Sequence, residues 1–298
     1  MSKPRQVLPG QFYMLTRRCT QRLLLLRPDA ATNNAFIYCL AVAALRCEVD
    51  VLMTVAESNH HHTVIFDRHG RCSEFAECFH RLMARSQNAL RGRWENFWAS
   101  EEPCITRLLD RDTVIAKLTY AAANPVKDRL VERAHQWPGV NAYPNFRSGR
   151  ALRATRPRHF FRNPGPMPES VTLKLSIPSE LGPAAEVIAE VVAGVKAIEE
   201  QEAAERNETG GRLFGRRAIL EQKWNGSPQG VEPRRNLRPR FAGRRDIRMD
   251  ALAAYRSFLY AYRLARSEWL RGARAMFPLG TYWLSRFAGV PIARPAIG

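Results

Sequence analysis

The sequence predicts an α+β fold in which a small antiparallel sheet is covered by helices on one face. Residues 49–56 alternate apolar and other side chains with a period of two, and residues 60–66 are predicted to form a second strand. Turn-forming residues at 57–59 connect these segments, so we expect a hairpin. A further strand is predicted at 11–17, directly after Pro9-Gly10. The order strand, helix, hairpin, helix is typical of an α+β sandwich.

The helices of this fold are predicted from apolar side chains at helical spacing. We expect them over residues 30–46, 73–90 and 111–123. The last is expected to end at Asn124-Pro125, because the residue before proline disfavours the helical backbone conformation. These elements predict a domain that spans residues 1–145.

The sequence changes in character after this domain. Residues 146–183 are rich in proline and arginine and predict a connector. Residues 184–298 predict a helical, basic C-terminal region of unknown role, with helices over 184–206 and 249–275. Between them, residues 206–248 contain twelve Lys or Arg against four Asp or Glu, with many Gly and Pro residues, which predicts a mobile basic arm.

The charge of the chain favours a polyanionic partner. Lys and Arg total 46 against 28 for Asp and Glu, which gives a net charge of +18 and a pI near 10.4. Each phosphate that a basic residue neutralises releases counterions, so such a surplus favours nucleic acid. The alternative is a composition bias that replaces Lys with Arg without adding a function. The chain has no GxxxxGK[ST] loop, so nothing indicates a helicase or another ATPase.

Cysteine usage and the apolar segments predict a cytoplasmic protein without a membrane partner. The six cysteines form no CxxC pair and are expected to be reduced, buried thiols. The N-terminal residues contain no apolar signal segment. The longest apolar stretch, residues 36–45, is too short to span a bilayer.

Three consecutive histidines lie in the second strand of the predicted hairpin. Because side chains alternate between the faces of a strand, His60 and His62 point to one side and His61 to the other. Two imidazoles at this spacing can bind one divalent ion and leave positions open for phosphate oxygens. The alternative is a solvated histidine cluster or a chance zinc contact.

Several blocks surrounding the histidines resemble, in order, the HUH single-strand DNA transposases, in particular the REP-associated tyrosine transposases of the insertion-sequence-200-like group. The resemblance covers about residues 5–145, through the blocks PGQFYMLTRRCTQR, SNHHHTVIF, GRWENFW and YAAANPVKDRLVERAHQWPGVNAY. It implies a ferredoxin-like fold and cleavage and joining of single-stranded or hairpin DNA through a covalent 5′-phosphotyrosine. It also implies a divalent metal, Mg²⁺ or Mn²⁺, although histidine ligands leave Zn²⁺ open as well. A homodimer also stays open.

The resemblance implies roles for particular residues. His60 and His62 match the metal ligands, and Asn88, or its neighbour Gln87, matches the further polar ligand. The family's catalytic tyrosine falls at Met83 or Ala84, so the catalytic residue is unknown at this point. Met83 is expected to pack in the core.

Other groups could replace the missing nucleophile. Tyr120 matches a structural tyrosine of the family and is interpreted as a packing residue with a hydrogen-bonded hydroxyl. Ser86 lies on the expected helix but lacks an evident activating base. A metal-bound water is a further candidate. So are the tyrosines of the C-terminal helix, if that region folds over the site: Tyr255, Tyr260 and Tyr262.

Basic and aromatic residues near the histidine strand are candidates for DNA binding. Arg17, Arg18 and Arg22 follow the first strand and are expected to contact phosphates. Trp94 and Trp98 are candidates for stacking on bases, and packing at the open sheet edge is the alternative.

Three hypotheses of function follow. The first is a transposase-like enzyme that cleaves single-stranded DNA with a metal ion and transfers the strand. The second is a catalytically inactive protein that lost the tyrosine and binds DNA hairpins without cutting. The third, a metal-binding protein unrelated to DNA, leaves the positive charge unexplained.

Overall fold

A computed structural model describes residues 4–162, 165–230 and 239–294 of the chain. In the described residues the strands are β1 (Gln11–Arg18), β2 (Asp50–Ala56), β3 (His60–Asp67), β4 (Cys104–Leu108), β5 (Leu152–Thr155), β6 (Ser170–Leu173) and β7 (Phe241–Ala242). The α-helices are α1 (Ala30–Cys47), α2 (Cys72–Arg91), α3 (Arg111–Lys127), α4 (Tyr143–Ser148), α5 (Ala184–Thr209), α6 (Arg216–Glu221), α7 (Arg245–Leu270) and α8 (Trp283–Ala288).

The main sheet has the strand order β2-β3-β1-β4-β7. Its first four strands are antiparallel and follow the chain order β1-α1-β2-β3-α2-β4, which is the ferredoxin-like arrangement. The predicted α+β class is therefore confirmed. Strand β4 had no clear signal in the sequence, and β7 adds to its free edge in parallel. A separate two-stranded sheet is formed by β5 and β6.

Helices lie on both faces of the main sheet, whereas the sequence predicted them on one. On one face the ring of His61 lies 5.7 Å from that of Phe36 in α1 and 5.3 Å from that of Phe79 in α2. On the other face the ring of His62 lies 5.3 Å from that of Tyr120 in α3. Alternating strand side chains therefore contact α1 and α2 on one side and α3 on the other.

Helix α3 begins where the sequence predicts but ends later. The Asp110 side chain accepts a hydrogen bond from the Thr113 amide, a typical N-cap. The helix continues past Asn124 to Lys127, with Pro125 buried inside its last turn. The backbone carbonyl of Pro125 then accepts hydrogen bonds from the amides of Leu130 and Val131. Tertiary packing thus overrides the local preference of the residue before proline.

The C-terminal region adds elements to the ferredoxin-like unit. Three buried valines of α5, Val187, Val191 and Val195, belong to the main core, as the apolar side of the predicted helix indicates. Gly194 lets α5 approach α3 closely, because a Cβ at this position would lie 2.8 Å from the Thr119 methyl carbon. The three-part division at 145 and 183 stays a prediction.

The predicted basic arm contains regular structure in the part that is described. It includes the end of α5, all of α6 and β7, and the start of α7, while residues 231–238 of the arm lie outside the described residues. The long C-terminal helix expected at 249–275 is α7, which starts and ends earlier. No helix in the described parts of the chain is long and apolar enough to cross a membrane.

Candidate functional site

Pairing between β1 and β3 positions two of the three histidines over the first strand. In the antiparallel register, Arg18 lies opposite His60 and Thr16 opposite His62. The Thr16 hydroxyl oxygen lies 2.7 Å from Nδ1 of His62 and fixes the ring by a hydrogen bond. The rings of His60 and His62 are 4.9 Å apart and nearly perpendicular. The side chains thus share one face, with Nε2 of His62 directed away from its hydroxyl partner.

His61 points to the opposite face, as the strand period predicts. It is fully buried, and its Nε2 lies 3.0 Å from Nε2 of His80 in α2. Burial lowers the pKa of both rings well below the ordinary value, with His80 as the next cause for His61. His61 is therefore a neutral core residue and is not accessible to a ligand in the cleft.

His60 lies between two amide oxygens. Its Nδ1 is 2.9 Å from Oδ1 of Asn59, and its Nε2 is 3.2 Å from Oδ1 of Asn124 in α3. A neutral imidazole has one N–H, so it can donate to only one of these oxygens. Three arrangements satisfy both ring nitrogens of His60. A cation can lie between Nε2 and the Asn124 oxygen, the ring can carry a second proton, or one of the side-chain amides can be reversed. The donor set of His60, His62 and Asn124 therefore fits a divalent metal.

Two carboxylates lie close to His60, and one of them, Glu57, has Oε2 3.9 Å from Nδ1 of His60. Ligand atoms of Glu57, His60 and Asp128 all lie within 4.8 Å of one another. Burial raises the pKa of the Glu57 carboxyl well above its ordinary range, and the charge of Asp128 raises it further. A bound cation would lower the electrostatic cost of ionising both. Neither carboxylate was predicted from the sequence, although Glu57 precedes the histidines and Asp128 follows Asn124 by one helical turn.

Tyr120 lies in the same cleft. It is one helical turn before Asn124 on α3, so both side chains point to the same side of the helix. Its ring lies 5.3 Å from that of His62, and Nζ of Lys117 lies 5.3 Å from the Tyr120 ring. Burial raises the pKa of its hydroxyl, followed by the charges of Asp128 and Glu57. Tyr120 packs against the main core, as predicted, whereas no hydrogen bond of its hydroxyl is found within the described residues.

The cleft around these groups has a volume of about 670 Å³ and is open to solvent. Arg18 and Arg22 line it, and Nη1 of Arg22 donates to the Gly230 carbonyl at 2.7 Å. Arg17 does not line it: it lies opposite His61, and its guanidinium carbon is 5.5 Å from the Trp98 ring centre. Two of the three predicted phosphate contacts therefore lie beside the histidines, and Arg17 lies on the other face because side chains of a strand alternate.

The two tryptophans occupy different environments. Trp98 is 5% exposed, and its Nε1 donates to the backbone carbonyl of His80 at 2.9 Å. It packs inside the protein, so stacking on a base would require local unfolding. Trp94 is 97% exposed and can stack on a base without any rearrangement.

The residues of α2 that the sequence analysis assigned to the site do not meet the histidine pair. Helix α2 covers the His61 face. Asn88 donates from Nδ2 to the Glu95 carbonyl at 2.8 Å, Met83 is fully buried, and Ala84 packs against the same core. The other substitutes also lie elsewhere: the Ser86 hydroxyl is 3.1 Å from Nε2 of His159, and the Tyr255 hydroxyl donates to the Pro4 carbonyl.

Fold and site together define an α+β protein in which a ferredoxin-like sheet presents two histidines to a tyrosine-bearing helix. No family model and no curated protein matches the chain. Among solved structures, the chain is similar to a REP-associated tyrosine transposase bound to a REP hairpin, with a TM-score of 0.42 and 14% identity over 60% of this chain and 100% of that one. It is also similar to a candidate transposase of Deinococcus radiodurans R1, with a TM-score of 0.28 and 14% identity over 35% of this chain and 84% of that one.

Proposed function

We propose that this protein is a transposase-like enzyme that cleaves and rejoins single-stranded DNA beside hairpins, with Tyr120 as its nucleophile. The observation that carries the proposal is that Tyr120 and the pair His60 and His62 line one cleft. A nucleophilic oxygen next to a metal-binding histidine pair is the arrangement that phosphodiester cleavage needs. Arg18 and Arg22 at the edge of this cleft would neutralise the phosphates of the bound strand.

The metal would be held by His60, His62 and Asn124, and the carboxylates of Glu57 and Asp128 near His60 would supply negative charge beside it. When bound, a divalent ion polarises the scissile phosphate and neutralises the charge that develops on it. Mixed nitrogen and oxygen donors suit Mn²⁺, and Mg²⁺ would rely more on the carboxylates. Asn124 takes the place that the sequence analysis gave to Asn88.

The chain's own residues would carry the covalent step. The Tyr120 hydroxyl loses its proton and its oxygen bonds to phosphorus, while the bond from phosphorus to the 3′-oxygen breaks. The carboxylate of Asp128, whose charge reaches Tyr120, can accept the phenolic proton and return it to the leaving 3′-oxygen. The products are a 5′-phosphotyrosine and a strand ending in a 3′-hydroxyl. Attack by another 3′-hydroxyl reverses the step and joins the strands.

The alternative of an inactive hairpin-binding protein depended on a missing tyrosine at Met83 or Ala84. Tyr120 supplies a hydroxyl beside His62 from a different helix, so that reason no longer holds. With the enzymatic function we propose hairpin DNA as the partner and a cytoplasmic location, and we leave a homodimer open.

The covalent intermediate provides the sharpest test. The protein is incubated with labelled hairpin DNA carrying a single-stranded flank and Mn²⁺, and adducts are separated on a denaturing gel. Tyr120→Phe is expected to abolish the adduct and to keep hairpin binding. Tyr260→Phe, which changes a tyrosine of α7 that is 66% exposed, is the matched control and is expected to keep both.

The histidine pair is tested in the same assay. His62→Ala is expected to abolish metal-dependent cleavage, because it removes a ligand without removing the nucleophile.

An adduct of unchanged yield in Tyr120→Phe would exclude this tyrosine as the nucleophile. Absence of metal-dependent cleavage by the wild type across varied hairpins would overturn the enzymatic proposal.

A further inference from the structure

A second basic site lies on the sheet face opposite the histidine cleft. A small cavity of about 20 Å³ is lined by three arginines and two tyrosines, Arg5, Arg107, Arg240, Tyr13 and Tyr255, together with Gln6 and Phe241. Arg107 lies opposite Tyr13 in the β1–β4 pairing. Tyr13 and Arg17 are four residues apart on β1 and therefore point to the same face of the sheet, which is the face of His61, the residue opposite Arg17. This cavity is therefore separate from the cleft that contains His60 and His62.

The backbone around β4 gathers the three arginines from distant parts of the chain. The Arg107 amide donates to the Arg240 carbonyl at 2.8 Å, where the chain enters β7. Nη1 of Arg5 donates to the Ile105 carbonyl at 2.7 Å. The Arg240 guanidinium carbon lies 4.9 Å from the ring centre of Tyr255. These contacts hold the arginines together but leave most of their N–H groups for another acceptor.

The described carboxylates near this cluster form no ion pair with it, although the charge of Asp67 reaches the Tyr13 hydroxyl together with the charges of Arg107 and Arg5. In the described parts of the chain, none of the three guanidiniums forms an ion pair with Asp or Glu. Nε of Arg107 is buried without a hydrogen-bond partner, and burial lowers the pKa of this side chain. Glu102 is the carboxylate whose charge reaches the Tyr255 hydroxyl, together with the charges of Arg240, Arg5 and Arg263. Clustered, partly buried guanidiniums without acidic partners are stabilised by an anion.

The size and donors of the cavity indicate the kind of anion. A cavity of 20 Å³ admits about one oxygen-sized group, because a water needs roughly 10–15 Å³ by the same measure. Guanidinium forks match the geometry of phosphate oxygens, and a tyrosine hydroxyl can donate a further hydrogen bond. We propose that Arg5, Arg107 and Arg240 form a second site, which binds a phosphate group at the mouth of this cavity and takes one of its oxygens inside.

The phosphate can come from the backbone of bound DNA or from a free phosphate ion, and two measurements distinguish these sources. The first titrates inorganic phosphate into the full chain by calorimetry at constant ionic strength, so its outcome does not depend on the DNA cleavage proposed above. Arg240→Gln removes one guanidinium from the cavity and is expected to weaken phosphate binding about tenfold to a hundredfold. Arg5→Gln is a second variant with the same expectation. Arg153→Gln, which changes an exposed arginine of β5, is the charge-matched control and is expected to bind like the wild type.

The second measurement follows binding of labelled hairpin DNA over a range of salt concentrations. If the ligand is backbone phosphate, Arg240→Gln reduces the slope of log affinity against log salt by about one, and Arg153→Gln leaves it unchanged. Weaker phosphate binding in Arg240→Gln with an unchanged DNA slope supports the site and assigns it to a free phosphate ion. Phosphate binding that is lost in Arg18→Gln but kept in Arg240→Gln and Arg5→Gln would place the anion in the histidine cleft and overturn the proposal. No phosphate binding by the wild type, with equal DNA slopes, would also overturn it.

Discussion

Replacing Thr16 by valine removes the hydroxyl that orients His62 while keeping a side chain of similar shape. The hydroxyl oxygen lies 2.7 Å from Nδ1 of His62, across the β1–β3 pair. Without this bond the imidazole is free to rotate, and its Nε2 no longer points reliably toward the cleft. Groups that orient a ligating histidine typically contribute tenfold to a hundredfold to metal affinity. We therefore expect Mn²⁺ binding to weaken by about this factor.

The cost in stability is expected to be small by comparison. A single partly buried hydrogen bond contributes about 1 kcal/mol to the free energy of unfolding. Thr106→Val is the matched control, because Thr106 lies on the neighbouring strand β4 and donates to the Pro239 carbonyl at 2.8 Å, away from the cleft. It should lose a similar amount of stability and keep the metal affinity of the wild type.

Calorimetric titration with Mn²⁺ measures the affinity, and urea denaturation measures the free energy of unfolding. The expected pattern is reduced metal affinity in Thr16→Val alone and similar stability losses in both variants. If Thr16→Val binds Mn²⁺ within twofold of the wild type, His62 is either not a ligand or does not need this hydroxyl. Equal losses of metal affinity in the two variants would indicate a general effect on folding.

Three further predictions concern stability. Glu57 is buried and its pKa is raised well above 4.5, so above this pH the folded chain retains a proton that the unfolded chain releases. The free energy of unfolding should therefore fall as the pH rises from 4.5 toward the raised pKa of Glu57. Glu57→Gln should lessen that fall in urea titrations without divalent ions, and an equal pH dependence in both proteins would contradict the assignment. Met83→Tyr installs a tyrosine where the sequence resemblance places one, and it should overpack a fully buried position and lower the free energy of unfolding by about 1–3 kcal/mol. DNA cleavage by the double variant Met83→Tyr and Tyr120→Phe would contradict the assignment of the nucleophile to α3. Trp98→Ala should cost about 3–5 kcal/mol, whereas Trp94→Ala should leave the melting temperature unchanged and weaken only DNA binding; equal melting temperatures of the two variants would contradict their different burial.

Much of the fold was predictable because its signals are local. The hairpin of β2 and β3 follows from period-two alternation and turn residues, and α1, α2 and α5 follow from apolar residues at helical spacing. Strand β4 is only five residues long, and its sequence CITRL is too short to show a period. The continuation of α3 through Pro125 was not predictable either, because its last turn is buried and Asn124 contacts His60, a residue distant in sequence.

The sequence by itself determined which histidines share a face, because strand alternation requires no knowledge of distant contacts. The same rule, applied to β1, separates Arg17 from Arg18 once the register with β3 is known. What only the tertiary structure decided is which helix faces His60 and His62. Helix α2 follows the histidine strand directly in sequence, but it packs on the His61 face, while α3 brings Tyr120 and Asn124 to the other. A helix can pack on either face of a sheet, and the buried surfaces of the whole fold select between them, so local sequence could not assign the partner of the histidine pair.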